Sequence, residues 1–490
     1  MSDCCSTTHA AGSSDAAQAV SPASGKTLVI IGGGSAAFSA ALKAADLGAR
    51  TIIINDGLPM GGTCVNVGCV PSKTLIRGAE ALHRASHPPA FAGIATSGRL
   101  VSFKEVVEQK RALVQELRQG KYADVIGDNP NITFIKGRGR LVDARTVATD
   151  TLKLKADAIL IATGARPSLP LIPGLDTVRY LTNETAFELE SLPESLLVLG
   201  GRYIALECAQ MFARFGSRVT VLQRSDRILP DEAPDLTEAL TGFLREEGLE
   251  IVTGVSTRRV TQDKDSVSIE ADVRGERHTF RATHLLVATG RAPNVQNLGM
   301  ETVGVEIAKR GGIAVDDMLE TSVPGIYAAG DVLSENMFVY AAAYEGSLAA
   351  ENALTGARRK RDYTALPWVI FTDPQVAGVG LDEEQAKAQG MDAEMATLPL
   401  AHVPRSLAAR DTRGLIKLIR DRQTDRLVGA RILAAEGSEP LMEISLAIKF
   451  GITVRDLTAC FHPYLTLSEG VKLAALAFSK DVNKLSCCAS

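Results

Sequence analysis

Short aliphatic runs that break at glycine recur along the chain. Thr27-Leu28-Val29-Ile30-Ile31 and Ser195-Leu196-Leu197-Val198-Leu199 read as strands buried on both faces, because almost nothing polar interrupts them. Each runs into a glycine-led turn, Gly32-Gly33-Gly34-Ser35-Ala36-Ala37 or Gly200-Gly201-Arg202-Tyr203-Ile204-Ala205. An apolar helical stretch follows, Phe38 to Leu47 or Leu206 to Phe215, and a second strand closes each unit, Thr51 to Ile54 or Arg218 to Leu222. Two such βαβ units predict two dinucleotide sites. Further strands, Ala158 to Gly164 and Leu285 to Gly290, both end in Ala-Thr-Gly, and Ile326-Tyr327-Ala328-Ala329 runs into Gly330-Asp331. Beyond about residue 365 the pattern mixes strands (Gly414 to Arg420, Arg426 to Leu433) with an amphipathic stretch, Glu439 to Lys449, and a last helix, Ser468 to Phe478. The order predicts an α/β fold with two Rossmann-like dinucleotide-binding domains and a separate α+β C-terminal domain.

Composition narrows this picture. At 490 residues the chain is too long for one core. A net charge of -4 argues against nucleic acid, and the basic run Arg358-Arg359-Lys360-Arg361 reads as a solvated loop. No uninterrupted apolar run is long enough for a membrane span. Residues 1–25 are Ser/Ala-rich, read as disordered, and lack the features of a secretory signal, so a cytoplasmic protein is expected. Eight cysteines are too few for a disulfide scaffold. Those in pairs, Cys4-Cys5, Cys64 with Cys69, and Cys487-Cys488, therefore point to catalysis or metal binding, while Cys208 reads as a core residue.

In a dinucleotide turn the first glycine makes the bend, the second admits the pyrophosphate, and a third small residue seats the helix. Gly32, Gly34 and Ala37 fill these places in the first unit. The ribose-binding acid expected after the second strand is represented by Asn55 followed by Asp56, and either can make that contact. In the second unit Gly200 and Ala205 hold the outer places, but Arg202 stands where the second glycine belongs, crowding the pyrophosphate or donating charge to it. Gln223-Arg224-Ser225-Asp226-Arg227 replaces the acidic ribose ligand, and Arg224 and Arg227 suit a 2′-phosphate, so NADPH is favoured over NADH.

The run Gly61-Gly62-Thr63-Cys64-Val65-Asn66-Val67-Gly68-Cys69-Val70-Pro71-Ser72-Lys73, with both Ala-Thr-Gly turns and Ala329-Gly330-Asp331, resembles the flavoprotein disulfide reductases over residues 26–490. That resemblance implies a Cys64–Cys69 redox disulfide, with Cys69 against the flavin and Cys64 as the exchanging thiol. It implies FAD in the first site, lined by Gly57, Gly62, Thr63, Gly139, Gly164, Gly290 and Val339, with Asp331 near the ribityl chain and Lys73, paired to Glu207, beside the ring. It divides the chain into an FAD-binding domain (26–180, continued in 295–365), an NAD(P)H-binding domain (181–294) and a C-terminal dimerisation domain (366–490) of a homodimer. A thiolate near a helix N-terminus has a lowered pKa and is poised for exchange, which suits that chemistry.

Disulfide reductases of this family carry a histidine base before a short stretch ending in Ser-Glu. Here the segment is Cys460-Phe461-His462-Pro463-Tyr464-Leu465-Thr466-Leu467-Ser468-Glu469, which puts Tyr464 in the base position and His462 two residues upstream, as a structural or a displaced base histidine. A dithiol leaving group needs an acid, whereas a metal ion leaving as a neutral atom does not. With this tyrosine and a terminal cysteine pair, the chain resembles the mercuric reductase branch of the family. The implied activity is NADPH-dependent reduction of Hg(II) to Hg(0). Cys487 and Cys488, too close to pair comfortably with each other, would act as soft-metal ligands that hand Hg(II) to Cys64 and Cys69 of the partner subunit. Tyr203 would face the nicotinamide side of the flavin as a gate. Cys4-Cys5 is either a minimal substitute for an N-terminal metal-binding domain or without function. The alternatives are a flavoprotein reductase of a small disulfide, with His462 as base, and a flavoprotein that sequesters soft metals.

Overall fold

The structure, a computed structural model, describes residues 25–88 and 91–484. The expectations for the N-terminal segment with Cys4-Cys5, and for Cys487 and Cys488, fall outside these residues.

Strand Thr27–Ile31 is buried throughout and pairs in parallel with Arg50–Asn55 on one side and Ala158–Ile161 on the other. Ile132–Lys136 and Ile326–Ala328 complete a five-stranded parallel sheet, at its two edges. The strand order reverses beside Thr27–Ile31, so the turn that follows it lies where open α/β sheets bind ligands. Helix Ser35–Asp46 buries Ala36, Ala37, Ala40, Ala41 and Ala44. This small-residue face packs against helix Val339–Thr355 so closely that a methyl group on Gly346 would lie 2.1 Å from the Ala36 carbonyl oxygen.

The second unit repeats the plan. Ser195–Leu199 lies between Arg218–Leu222 and His284–Val287, with Glu250–Val252 outermost, all parallel. Its helix, Tyr203–Phe215, begins at Tyr203 rather than at Leu206, just as the first helix begins at Ser35 rather than Phe38. In both, an extended residue (Gly34 or Arg202) caps the helix directly after the turn, so small or polar residues join it before the apolar run starts. An antiparallel sheet of Val255–Gln262, Val267–Val273 and Glu276–Ala282 covers this unit.

The C-terminal domain is a five-stranded antiparallel sheet ordered Pro367–Ile370, Gln375–Gly380, Leu427–Ala434, Leu415–Asp421, Ala393–Pro399. Helices Ser438–Phe450 and Leu467–Leu476 belong to the same core. Leu75 of helix Cys69–Ser86, Phe212 of the second unit, and Ile370 and Leu433 of the C-terminal sheet share one buried cluster. Helix Cys69–Ser86 thus ties all three parts together, and the first thiol pair sits at its start. In the basic run, Arg359, Lys360 and Arg361 pair with Glu351, Asp317 and Glu335. Among the described residues no helix is long and apolar enough to cross a membrane.

Candidate active site

The two glycine turns are near-copies. Gly32 (φ +121°) and Gly200 (φ +120°) each donate an N–H to a carbonyl at the end of the second strand, that of Ile54 or Leu222. A methyl group on Gly32 would lie 2.1 Å from the Ala162 carbonyl oxygen, and one on Gly200 2.4 Å from that of Ala288. The two Ala-Thr-Gly turns recur because each packs its alanine carbonyl onto a bare first glycine. The next glycines, Gly33 and Gly201, abut Asn55 and Gln223 in the same way. Asn55 therefore corresponds to Gln223 and Asp56 to Arg224: the exposed charge at one place is inverted between the units.

One cavity of about 1440 Å³ connects both turns. Gly32, Gly34, Asn55, Asp56, Gly57, Gly62, Thr63, Gly139, Gly164, Gly290, Asp331 and Val339 line it, together with Cys64, Cys69, Lys73, Tyr203 and Glu207. Gly200, Ala205, Arg224, Arg227, His462 and Tyr464 are not among its walls, and Ala37 is fully buried behind the first turn. The fit to FAD rests on two observations. A methyl group on Gly62 would come within 2.7 Å of Gly34 Cα, so the turn presents bare backbone. Arg291 Nε is buried with no hydrogen-bond partner among the described residues, its ion pair with Asp331 Oδ2 standing at 3.8 Å, which leaves a donor for a bound polar group. Burial pushes the Asp331 carboxyl up.

Cys64 lies in the short helix Gly62–Asn66, and Cys69 opens helix Cys69–Ser86, where unpaired N–H groups favour a thiolate. The two sulfurs lie within hydrogen-bonding reach of each other. The hydrogen bond from Cys64, aided by the Lys73 ammonium, holds the Cys69 thiol down to about 7 against its burial. The same hydrogen bond and burial push the Cys64 thiol far up. Cys69 is thus the more acidic thiol of the pair. Lys73 Nζ reaches Glu207 Oε2 at 2.7 Å and lies 4.5 Å over the Phe371 ring, while Glu207 Oε1 accepts the Phe371 N–H.

At the second turn Arg202 is held by Asp231 through both guanidinium nitrogens, which commits its charge locally. Arg224 is exposed; Arg227 turns Nη2 onto the carbonyls of Pro230 and Glu232. Tyr203 is the first helical residue after this turn, and burial pushes its phenol up to about 12. Cys208 is buried in the core, as expected.

The C-terminal segment stands apart in the single chain. His462 is 5% exposed at its side chain, with Nε2 2.5 Å from Glu443 Oε1 of its own subunit. Tyr464 is half exposed. Leu465 adopts the left-handed conformation (φ +61°), and its N–H donates to Glu469 Oε2 at 3.0 Å, while Glu469 N–H donates to Thr466 Oγ1. These two bonds cap the helix start, hold the backbone next to Tyr464 and give the closing glutamate of the segment a physical role. Sequence reasoning missed Arg291, Tyr340 and Phe371 as cavity walls. Arg291 and Tyr340 adjoin residues it did find, Gly290 and Val339.

Comparison with known proteins agrees with this geometry. The chain is 46% identical over 462 residues to a mercuric reductase of Lysinibacillus sphaericus, covering 94% of this chain and 84% of that one. It is 44% identical over 471 residues to a mercuric reductase of Streptomyces lividans, covering 95% and 98%. Among solved structures it resembles the Cu(II) complex of the HOCl-induced flavoprotein disulfide reductase RclA from Escherichia coli (TM-score 0.83, 30% identity, 93% and 99% covered). It also resembles LpdA from Mycobacterium tuberculosis (TM-score 0.82, 27% identity, 93% and 100% covered). Residues 26–346 match the family model for pyridine nucleotide-disulphide oxidoreductases, residues 366–475 match that family's dimerisation domain, and the chain belongs to this family.

Proposed function

We propose that the chain is a homodimeric, NADPH-dependent mercuric reductase that converts thiol-bound Hg(II) to Hg(0), the chemistry of mercury detoxification. The observation that carries this reading is the residue in the base position. Tyr464 occupies it, and the nearest imidazole, His462, is committed to Glu443. A site without that imidazole lacks the usual acid for a departing thiolate but suits a metal that leaves as a neutral atom. The relatives named mercuric reductase support the same choice.

FAD, held by the first turn, Thr63, Gly139, Asp331 and Val339, supplies when bound a two-electron link between NADPH and the thiol pair. The chain's own residues do the rest. Arg224 offers a cation for the 2′-phosphate of NADPH, the Cys64 hydrogen bond and Lys73 favour the Cys69 thiolate, and Cys64 and Cys69 together give Hg(II) two sulfur ligands. Electrons balance as Hg(SR)2 + NADPH + H+ giving Hg(0) + NADP+ + 2 RSH. Cys487 and Cys488 collect Hg(II) and pass it by ligand exchange to Cys64 and Cys69 of the partner subunit, where Tyr464 assists. This reading places the enzyme in the cytoplasm, whose NADPH and reduced thiols it needs. A protein carrying Cys487→Ala and Cys488→Ala should keep NADPH-dependent flavin reduction but lose turnover of thiol-complexed Hg(II). Unchanged turnover would remove the relay.

A further inference from the structure

Tyr203 does not stand alone at its end of the cavity. Its ring lies nearly parallel to the indole of Trp368, with centroids 5.9 Å apart and 14° between the planes. Trp368 is the only tryptophan in the chain. It sits on strand Pro367–Ile370 of the C-terminal sheet, opposite Gly378. A methyl group on Gly378 would come within 2.4 Å of the indole, so the ring rests on bare backbone there. One strand further along the same row is Arg431, 4% exposed, with its guanidinium 5.5 Å over the indole. Arg431 Nε is held in turn by Glu232 at 2.7 Å. Glu232 belongs to the loop that follows Arg224 and Arg227, back in the second dinucleotide unit. Tyr203, Trp368, Arg431 and Glu232 thus form a clasp that leaves the nucleotide unit, crosses the C-terminal sheet and returns.

We propose that Trp368 is a positioning residue for Tyr203: the clamped indole sets the pose of the tyrosine ring and, through it, the affinity for the nicotinamide nucleotide. The proposal rests on the reading of Tyr203 as facing the nicotinamide. The Arg431 guanidinium and the bare backbone of Gly378 leave the indole little freedom, so Tyr203 stacks on a fixed surface. Offset aromatic pairs of this geometry carry enough free energy to shift an equilibrium about two- to tenfold.

The test uses FAD-loaded enzyme titrated with NADP+. Because one tryptophan accounts for the indole emission, wild-type fluorescence should respond to NADP+, and the response should vanish in Tyr203→Leu. Equilibrium dialysis should show Trp368→Leu and Tyr203→Leu each changing the NADP+ Kd about two- to tenfold, with the double variant no different from either single. Trp368→Phe, which keeps a ring on Gly378, should restore wild-type affinity. Additive effects in the double variant, or a Trp368→Leu protein with wild-type Kd beside an altered Tyr203→Leu, overturn the proposal alone. A Tyr203→Leu protein with wild-type Kd removes the reading of Tyr203 on which the proposal stands.

Discussion

Opposing influences act on the Cys69 sulfur: the Cys64 hydrogen bond and the Lys73 cation lower its pKa, while burial and the Glu207 carboxylate raise it. The net value of about 7 makes the thiolate the dominant form above neutrality and leaves about one tenth of it at pH 6. Thiolate absorbance of the reduced enzyme should therefore titrate with a midpoint near 7, and Lys73→Met should move that midpoint upward. A midpoint that stays or falls would contradict the role given to Lys73. At this scale the sequence was informative wherever spacing carries chemistry. Cys64, Cys69, Gly32 and Gly34 stand in runs whose order alone states a purpose. Phe371, which lines the cavity, and Trp368, which stacks on Tyr203, could not be read so, because both come from a different domain and nothing in their neighbourhood marks them.

Elements were legible in kind and blurred at their edges. Both turn helices start about three residues before the apolar run, since an extended cap residue lets Ser35 and Tyr203 join the helix. The antiparallel strands Val255–Gln262, Val267–Val273 and Glu276–Ala282 are not legible in the sequence because the outer two expose polar residues along much of their length and the buried positions of the middle one alternate with half-buried ones, which dilutes the apolar signal. The segment before helix Leu467–Leu476 repays attention to its cap. Removing Glu469 leaves the left-handed Leu465 without its hydrogen bond, a loss of about 1 kcal/mol, and releases Tyr464. Glu469→Ala should lower Hg(II) turnover at least about tenfold while NADPH still reduces the flavin at its normal rate, and Glu469→Gln should retain most activity. Stopped-flow measurement of the two half-reactions separates these effects; equal slowing of both would assign Glu469 a general structural role.

At the scale of the molecule, the two βαβ units could be read from the chain, whereas their convergence on one cavity could not. That convergence depends on the shared core around helix Cys69–Ser86 and on Phe371 and Tyr340 closing the walls. The C-terminal domain leaves Met442, Leu446 and Phe450, four residues apart on helix Ser438–Phe450, exposed together. In the homodimer a partner covers apolar surface of this kind, and the proposed role of Tyr464 in the second subunit's site requires that contact. The central claim is that this assembly spends NADPH on a metal ion and not on a disulfide. Its most direct test follows NADPH oxidation and mercury vapour together, with HgCl2 in excess thiol, and in parallel with lipoamide and oxidised glutathione. One Hg(0) should be released per NADPH consumed, with no oxidation above background with either disulfide; steady NADPH oxidation by a disulfide, with no Hg(0) formed from Hg(II), would show the opposite specificity.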